Sequence, residues 1–100
     1  MRHDKLVRDR IPELIAAKGE KAVHHVADDA EYLRALGEKL VEEMNELRAD
    51  PCAGEVADVL EVVEAFAKAH GIAMEDALRT KEEKRRARGG FDAKIILEES

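Results

Sequence analysis

Five acidic side chains occupy two short stretches near the middle of the chain: Glu42, Glu43 and Glu46, then Glu55 and Asp58. An α-helix turns about 100° per residue, so residues three apart lie on the same side of it. This spacing pairs Glu43 with Glu46. It also pairs Glu55 with Asp58. Two facing pairs of carboxylates would offer the oxygen ligands that Mg²⁺ prefers, so the pattern predicts a divalent-metal site.

The second acidic stretch falls in a helix whose surface is mostly apolar. At 100° per residue, Glu55 lies between Val62 and Phe66, and Asp58 lies on the same side. An ionised carboxylate in apolar surroundings is costly unless a cation accompanies it. A metal ion would meet that need, and so would a structural salt bridge to Lys or Arg. For the first stretch, the simpler alternative is a solvated helix face, above all for Glu42.

The elements that must position these acids are predicted to be helical. We expect helices from Ile11 to about Lys18, from Asp28 to about Arg48, from Pro51 to about His70 and from about Met74 to Arg88. Asp9, Asp28 and Asp50 are the expected N-caps, and glycines end three of the helices. Residues 21–26 and 93–97 could pair as a small two-stranded ribbon. The predicted fold class is therefore mainly all-α, with four to five helices in a bundle.

The composition limits the size of the hydrophobic core and indicates the cellular compartment. The 100 residues make one domain, 1–100, with 40% charged and 3% aromatic residues. So few large side chains give little core, which favours self-association into a homo-oligomer. The net charge of -6 argues against a nucleic-acid or membrane partner. A single cysteine, Cys52, and the absence of a signal-peptide or membrane-spanning pattern indicate a cytoplasmic protein.

A basic run in the fourth predicted helix contrasts with the acidic centre. Its members share helix faces at a spacing of four: Lys81 with Arg85, and Lys84 with Arg88. Basic residues near a helix C-terminus also interact favourably with the helix dipole, so the run does not require a ligand. Beside a metal site, however, a basic face suits a polyphosphate. The same purpose could be served by N-terminal cations, namely Lys5, Arg8 and Arg10.

Taken together, three motifs resemble one known family. Residues 42–46 (EEMNE) followed by 55–58 (EVAD) resemble the EExxE…ExxD signature of the MazG-like all-α nucleotide pyrophosphohydrolases. Residues 5–12 (KLVRDRIP) and 84–91 (KRRARGGF) resemble the compact branch of that family, the phosphoribosyl-ATP pyrophosphohydrolase-like proteins. The resemblance covers nearly the whole chain.

The resemblance implies Mg²⁺-dependent cleavage of a nucleoside triphosphate between its α- and β-phosphates, giving a monophosphate and pyrophosphate. It also implies a dimer or tetramer, and Mn²⁺ could replace Mg²⁺. The implied metal ligands are Glu43, Glu46, Glu55 and Asp58. One departure is the short gap between Glu46 and Glu55, which leaves no room for a substrate-covering loop and bears on base selectivity.

The expected chemistry is metal-assisted hydrolysis. Glu42 or Glu46 would act as the general base, with Glu42 as an alternative water-orienting residue. The expected phosphate-binding residues are Lys81, Lys84, Arg85 and Arg88. Housecleaning of nucleotides is the favoured role. The alternatives are hydrolysis of phosphoribosyl-ATP in histidine biosynthesis, and a non-catalytic module that binds nucleotides or a partner protein.

Overall fold

Four α-helices form the architecture of the computed structural model, which describes residues 4–100. In chain order they are α1 (Ile11–Ala17), α2 (Asp29–Ala49), α3 (Ala53–Ala69) and α4 (Met74–Arg88). The predicted all-α fold class is confirmed. Among the described residues none of these helices combines the length and the apolar character that crossing a bilayer requires.

The predicted two-stranded ribbon is wrong, because residues 21–26 and 93–97 form no strand. Val23 and Val26 are 87% and 91% exposed, and Ile95 is 81% exposed. A lone pair of strands is marginally stable in water unless an apolar face packs on something. Neither segment has such a packing partner here.

The helix ends follow the predicted chemistry at some positions and not at others. Asp28 caps α2 as expected, since its side chain accepts a hydrogen bond of 2.9 Å from the backbone N–H of Glu31. Asp9 does not cap α1, because the N-cap position falls on Arg10 and no side chain bonds there.

The cap predicted for α3 is also wrong. Asp50 belongs to the end of α2, where its backbone N–H donates to the carbonyl oxygen of Glu46. The N-cap of α3 is Cys52, without a side-chain cap. The connection between α2 and α3 is therefore a turn of three residues, which keeps the two helices adjacent.

Packing is concentrated between α2 and α3, whereas α4 meets only α3 and α1 does not come into close backbone contact with another helix. Leu36 of α2 is 1% exposed, and Ala67 of α3 is 7% exposed. The radius of gyration is 17.7 Å, well above the roughly 13 Å expected for a compact domain of this length. The α2–α3 hairpin is thus the best-packed part of the described chain, and it carries the acidic residues.

Candidate metal centre

The α2–α3 hairpin brings three of the four predicted metal ligands together. Glu43 of α2 and Glu55 and Asp58 of α3 each offer one carboxylate oxygen, and these three oxygens all lie within 4.8 Å of one another. Glu55 and Asp58 are nearly one turn apart on α3, so both can face α2 across the helix pair. We call these three residues the carboxylate cluster.

Glu43 is the most buried member of the cluster, with 6% of its surface exposed. Its Oε1 lies 3.2 Å from Nζ of Lys39, one turn earlier on α2. Its Oε2 is buried without a hydrogen-bond partner, as is Oε2 of Glu55. Unpaired buried carboxylate oxygens are costly, so their presence in one cluster indicates a site suited to a cation. The donor set, all hard oxygen, fits Mg²⁺ or Mn²⁺.

The electrostatics of Glu55 are unfavourable to its charge. Its pKa is raised above the ordinary value, first by desolvation and then by the negative charges of Asp58, Glu43 and Asp50. Glu55 also sits in the first turn of α3, where the helix dipole favours a negative charge. The pKa is nevertheless raised, so desolvation and repulsion outweigh the dipole. A divalent cation would remove this repulsion.

Glu46, the fourth predicted ligand, is exposed and lies outside the carboxylate cluster. Its pKa is raised as well, chiefly by the charge of Glu43, then by desolvation and by Glu55. A hydrogen bond to Glu43 further favours its protonated form. Glu46 is therefore electrostatically coupled to the cluster, although it contributes no oxygen to the group of three.

Three cations border the acidic residues, and two of them come from the N-terminal segment. Arg8 places Nη2 2.8 Å from Oδ1 of Asp58. Lys5 places Nζ 3.4 Å from Oε1 of Glu42, which also lies 3.6 Å from Nζ of Lys39. Asp58 thus has the salt bridge that was the alternative to a metal, whereas the buried Oε2 atoms of Glu43 and Glu55 have none.

Two residues at the site were missed by sequence reasoning. Lys39 is four residues before Glu43, a spacing at which opposite charges attract on a helix, so a local signal existed. Glu61 lies 3.4 Å from Nη1 of Arg8. That contact joins residues 53 apart along the chain, and no local sequence pattern predicts it.

The basic residues predicted to bind phosphate are all exposed on α4, a helix that does not meet α2. In a single chain, the structure does not bring them to the carboxylate cluster. The guanidinium of Arg85 instead lies beside Gly90, just past the end of α4: a Cβ added to Gly90 would lie 2.8 Å from Nη1 of Arg85. The four basic residues that were predicted to bind phosphate are Lys81, Lys84, Arg85 and Arg88.

No family model matches the chain, and no solved structure matches it. A protein of Mycolicibacterium smegmatis, described as uncharacterized, is 58% identical over 45 residues. The match covers 45% of this chain and 46% of that protein, so this chain spans less than half of its relative's length.

Proposed function

We propose that this protein is a nucleotide pyrophosphohydrolase of the MazG-like type, which uses Mg²⁺ to cleave nucleoside triphosphates between the α- and β-phosphates. The observation that carries the proposal is the carboxylate cluster with its two buried, unpaired oxygens. The three residues of the cluster also belong to the EExxE…ExxD motif, and this agreement between geometry and motif supports the proposal further. The proposed role is the removal of unwanted nucleotides.

The carboxylate cluster would hold the divalent cation. Bound there, Mg²⁺ would neutralise phosphate oxygens and lower the pKa of a coordinated water. Lys39 would remain beside Oε1 of Glu43 and orient the carboxylate, which leaves Oε2 for the cation. The family resemblance implies that Glu46 is a fourth metal ligand. To reach the metal, its exposed side chain would have to turn towards the cluster.

Glu46 is better suited to accept a proton. Its carboxylate lies outside the group of three that would hold the metal, and its exposure allows exchange of the proton with solvent. In the proposed step, Glu46 takes a proton from a water molecule while the water oxygen bonds to a phosphorus of the α–β anhydride. The bond from that phosphorus to the bridging oxygen breaks, and its electron pair stays on this oxygen, so that the nucleoside monophosphate and pyrophosphate separate. Glu42, paired with two lysines, would orient the water.

The deciding experiment is a pyrophosphate-release screen with Mg²⁺ across normal and modified nucleoside triphosphates and phosphoribosyl-ATP. We expect Mg²⁺-dependent release, reduced about 100-fold or more in Asp58→Asn, since even indirect supports of a metal site are worth about 10–100-fold. Glu64→Gln is the matched control, because Glu64 is an exposed acid of α3 outside the cluster. A wild-type protein that binds nucleotides yet releases no pyrophosphate from the panel, with Mg²⁺ or Mn²⁺, would instead favour the non-catalytic module.

The proposed enzyme assembles as a homodimer or homotetramer. In the hairpin, α2 leaves Val41 and Met44 exposed by 54% and 43%, and α3 leaves Val56 and Leu60 exposed by 44% and 55%. A second copy covering these side chains would supply the core that one chain lacks. It could also carry the basic residues of its α4 to the cluster, which a single chain does not do.

The oligomer predicts an effect of Leu60→Glu. A charge at the centre of an apolar interface is strongly disfavoured, so the variant is expected to sediment as a monomer where the wild type sediments as a dimer or tetramer. Leu97→Glu makes the same chemical change in the C-terminal tail, where the side chain is 76% exposed, and should leave the mass unchanged. A monomeric wild type at all accessible concentrations would contradict the assembly.

A further inference from the structure

The N-terminal segment, residues 4–10, crosses the acidic surface of the hairpin and attaches to both of its helices. Lys5 contacts α2 through Glu42 at 3.4 Å. Arg8 contacts α3 through Asp58 at 2.8 Å and Glu61 at 3.4 Å. Three residues of chain span at most about 10 Å, which matches the roughly 8–10 Å between the axes of packed helices. The spacing of Lys5 and Arg8 therefore fits a bridge from α2 to α3 that ends at Asp58 of the cluster and at Glu42, the neighbour of Glu43.

The ion pairs that hold this bridge are exchangeable. The side chains of Lys5 and Arg8 are 51% and 55% exposed, and Asp58 is 40% exposed. Ion pairs this open to water contribute little to stability, because water and salt screen the attraction. A ligand with a higher density of negative charge can therefore take either cation from its carboxylate at little cost.

A nucleoside triphosphate chelated at the carboxylate cluster would be such a ligand. Its phosphate chain carries more negative charge than one divalent cation neutralises, and the cluster itself adds only repulsion. The remaining charge calls for donors at the rim, where Lys5 and Arg8 stand. The planar guanidinium of Arg8 can donate two parallel hydrogen bonds to one phosphate group, as it now divides them between Asp58 and Glu61.

We propose that Lys5 and Arg8 form the phosphate-binding half of the substrate site and exchange their carboxylate partners for the phosphates of the metal-bound nucleotide. This inference rests on the proposed function, because it presumes a metal-chelated polyphosphate at the cluster. It assigns to the N-terminal segment the phosphate contacts that α4 does not make within one chain. Arg8 takes the larger part, and Lys5 adds a point charge on the α2 side.

The test separates metal binding from polyphosphate binding by calorimetry, with Mn²⁺ alone and then with inorganic tripolyphosphate in the presence of Mg²⁺. Arg8→Ala is expected to weaken tripolyphosphate binding about tenfold or more, the loss of a charge-assisted pair of hydrogen bonds. Mn²⁺ alone should bind the variant as tightly as the wild type or more tightly, because Asp58 loses a competing cation. Lys5→Ala should show a smaller loss in the same direction.

Arg10→Ala is the matched control. It removes the same charge two residues away, but Arg10 pairs through Nε with Glu13 of α1 at 2.7 Å and forms no ion pair with the cluster among the described residues. Equal losses in Arg8→Ala and Arg10→Ala would overturn the proposal, since net charge would then explain both. An unchanged affinity in Arg8→Ala, or a parallel loss of Mn²⁺ binding, would also overturn it. A wild type that shows the expected pattern but releases no pyrophosphate would refute the enzyme and leave the phosphate-binding role of Arg8 standing.

Discussion

Glu55→Gln is expected to raise the melting temperature of the metal-free protein at neutral pH and to abolish its stabilisation by Mg²⁺. In the folded chain, Glu55 is desolvated and repelled by Asp58 and Glu43, and its buried Oε2 has no hydrogen-bond partner. No ion pair of the described residues involves Glu55, so the amide removes repulsion without breaking a salt bridge. Thermal melts with and without Mg²⁺ measure both effects. A residue that destabilises the fold until a cation arrives has the signature of a binding site.

The gain in stability expected for Glu55→Gln depends on pH, and the raised pKa of Glu55 sets the direction of this dependence. The pKa of Glu55 is raised above its ordinary value of 4.5 in the folded state, first by desolvation and next by the charge of Asp58. The folded protein therefore keeps a proton that the unfolded chain has already lost, and stability falls as pH rises from 4.5 through the raised pKa. Below that window the carboxyl is neutral in both states. The excess stability of Glu55→Gln should accordingly vanish in acid and grow towards neutral pH.

Addition of metal should reverse the order of the two proteins. A ligand that binds only the folded state stabilises it by an amount that grows with its concentration over Kd. Mg²⁺ should therefore raise the melting temperature of the wild type and of the control Glu64→Gln, while Glu55→Gln shows little response. If Glu55→Gln melts below the wild type at neutral pH and responds equally to Mg²⁺, then Glu55 is neither strained nor a ligand.

Sequence reasoning found the acids of this site but misjudged their burial. Helical spacing places Glu55 within an apolar arc, whereas a solvated helix face is the simpler interpretation of the stretch that contains Glu43. In the structure Glu43 is the most buried of the charged residues described, and the side chain of Asp58 is 40% exposed. The burial of Glu43 depends on how α3 lies against α2. The periodicity of one helix carries no information about its partner, so this ranking could not be obtained from either helix alone.

The contact between Arg8 and Asp58 likewise could not be predicted from local sequence patterns. Local signals sufficed for the four helices and for the cap at Asp28, because their causes lie within a few residues of chain. Arg8 and Asp58 are 50 residues apart, and their contact follows from the path of the N-terminal segment over the hairpin. The cap predicted at Asp50 is wrong for a different, local reason. The backbone N–H of Asp50 donates to the carbonyl oxygen of Glu46, which makes Asp50 the C-cap of α2.

Leu36→Ala should cause the largest loss of stability among single substitutions in this chain. Leu36 is the largest side chain that is fully buried, with 1% of its surface exposed. Truncation of a buried leucine costs about 2–5 kcal/mol, a large share of the roughly 5–15 kcal/mol that stabilises a typical domain. The expected fall in melting temperature is about 10–25 °C. Leu78→Ala makes the same change on α4, where the side chain is 58% exposed, and should shift the midpoint far less.

The response of Leu36→Ala to Mg²⁺ separates the scaffold from the site. Leu36 lies two turns before Glu43 on α2 and offers no ligand atom, so the folded fraction of the variant should keep the carboxylate cluster. Because stabilisation by a ligand depends only on its concentration and its Kd for the folded state, Mg²⁺ should add about the same free energy to Leu36→Ala as to the wild type. The two substitutions then give opposite patterns: Leu36→Ala melts early and responds to Mg²⁺, whereas Glu55→Gln melts late and does not. A Leu36→Ala protein that is folded in the cold but no longer responds to Mg²⁺ would mean that the packing of α2 on α3 sets the positions of the ligands as well as the stability of the hairpin.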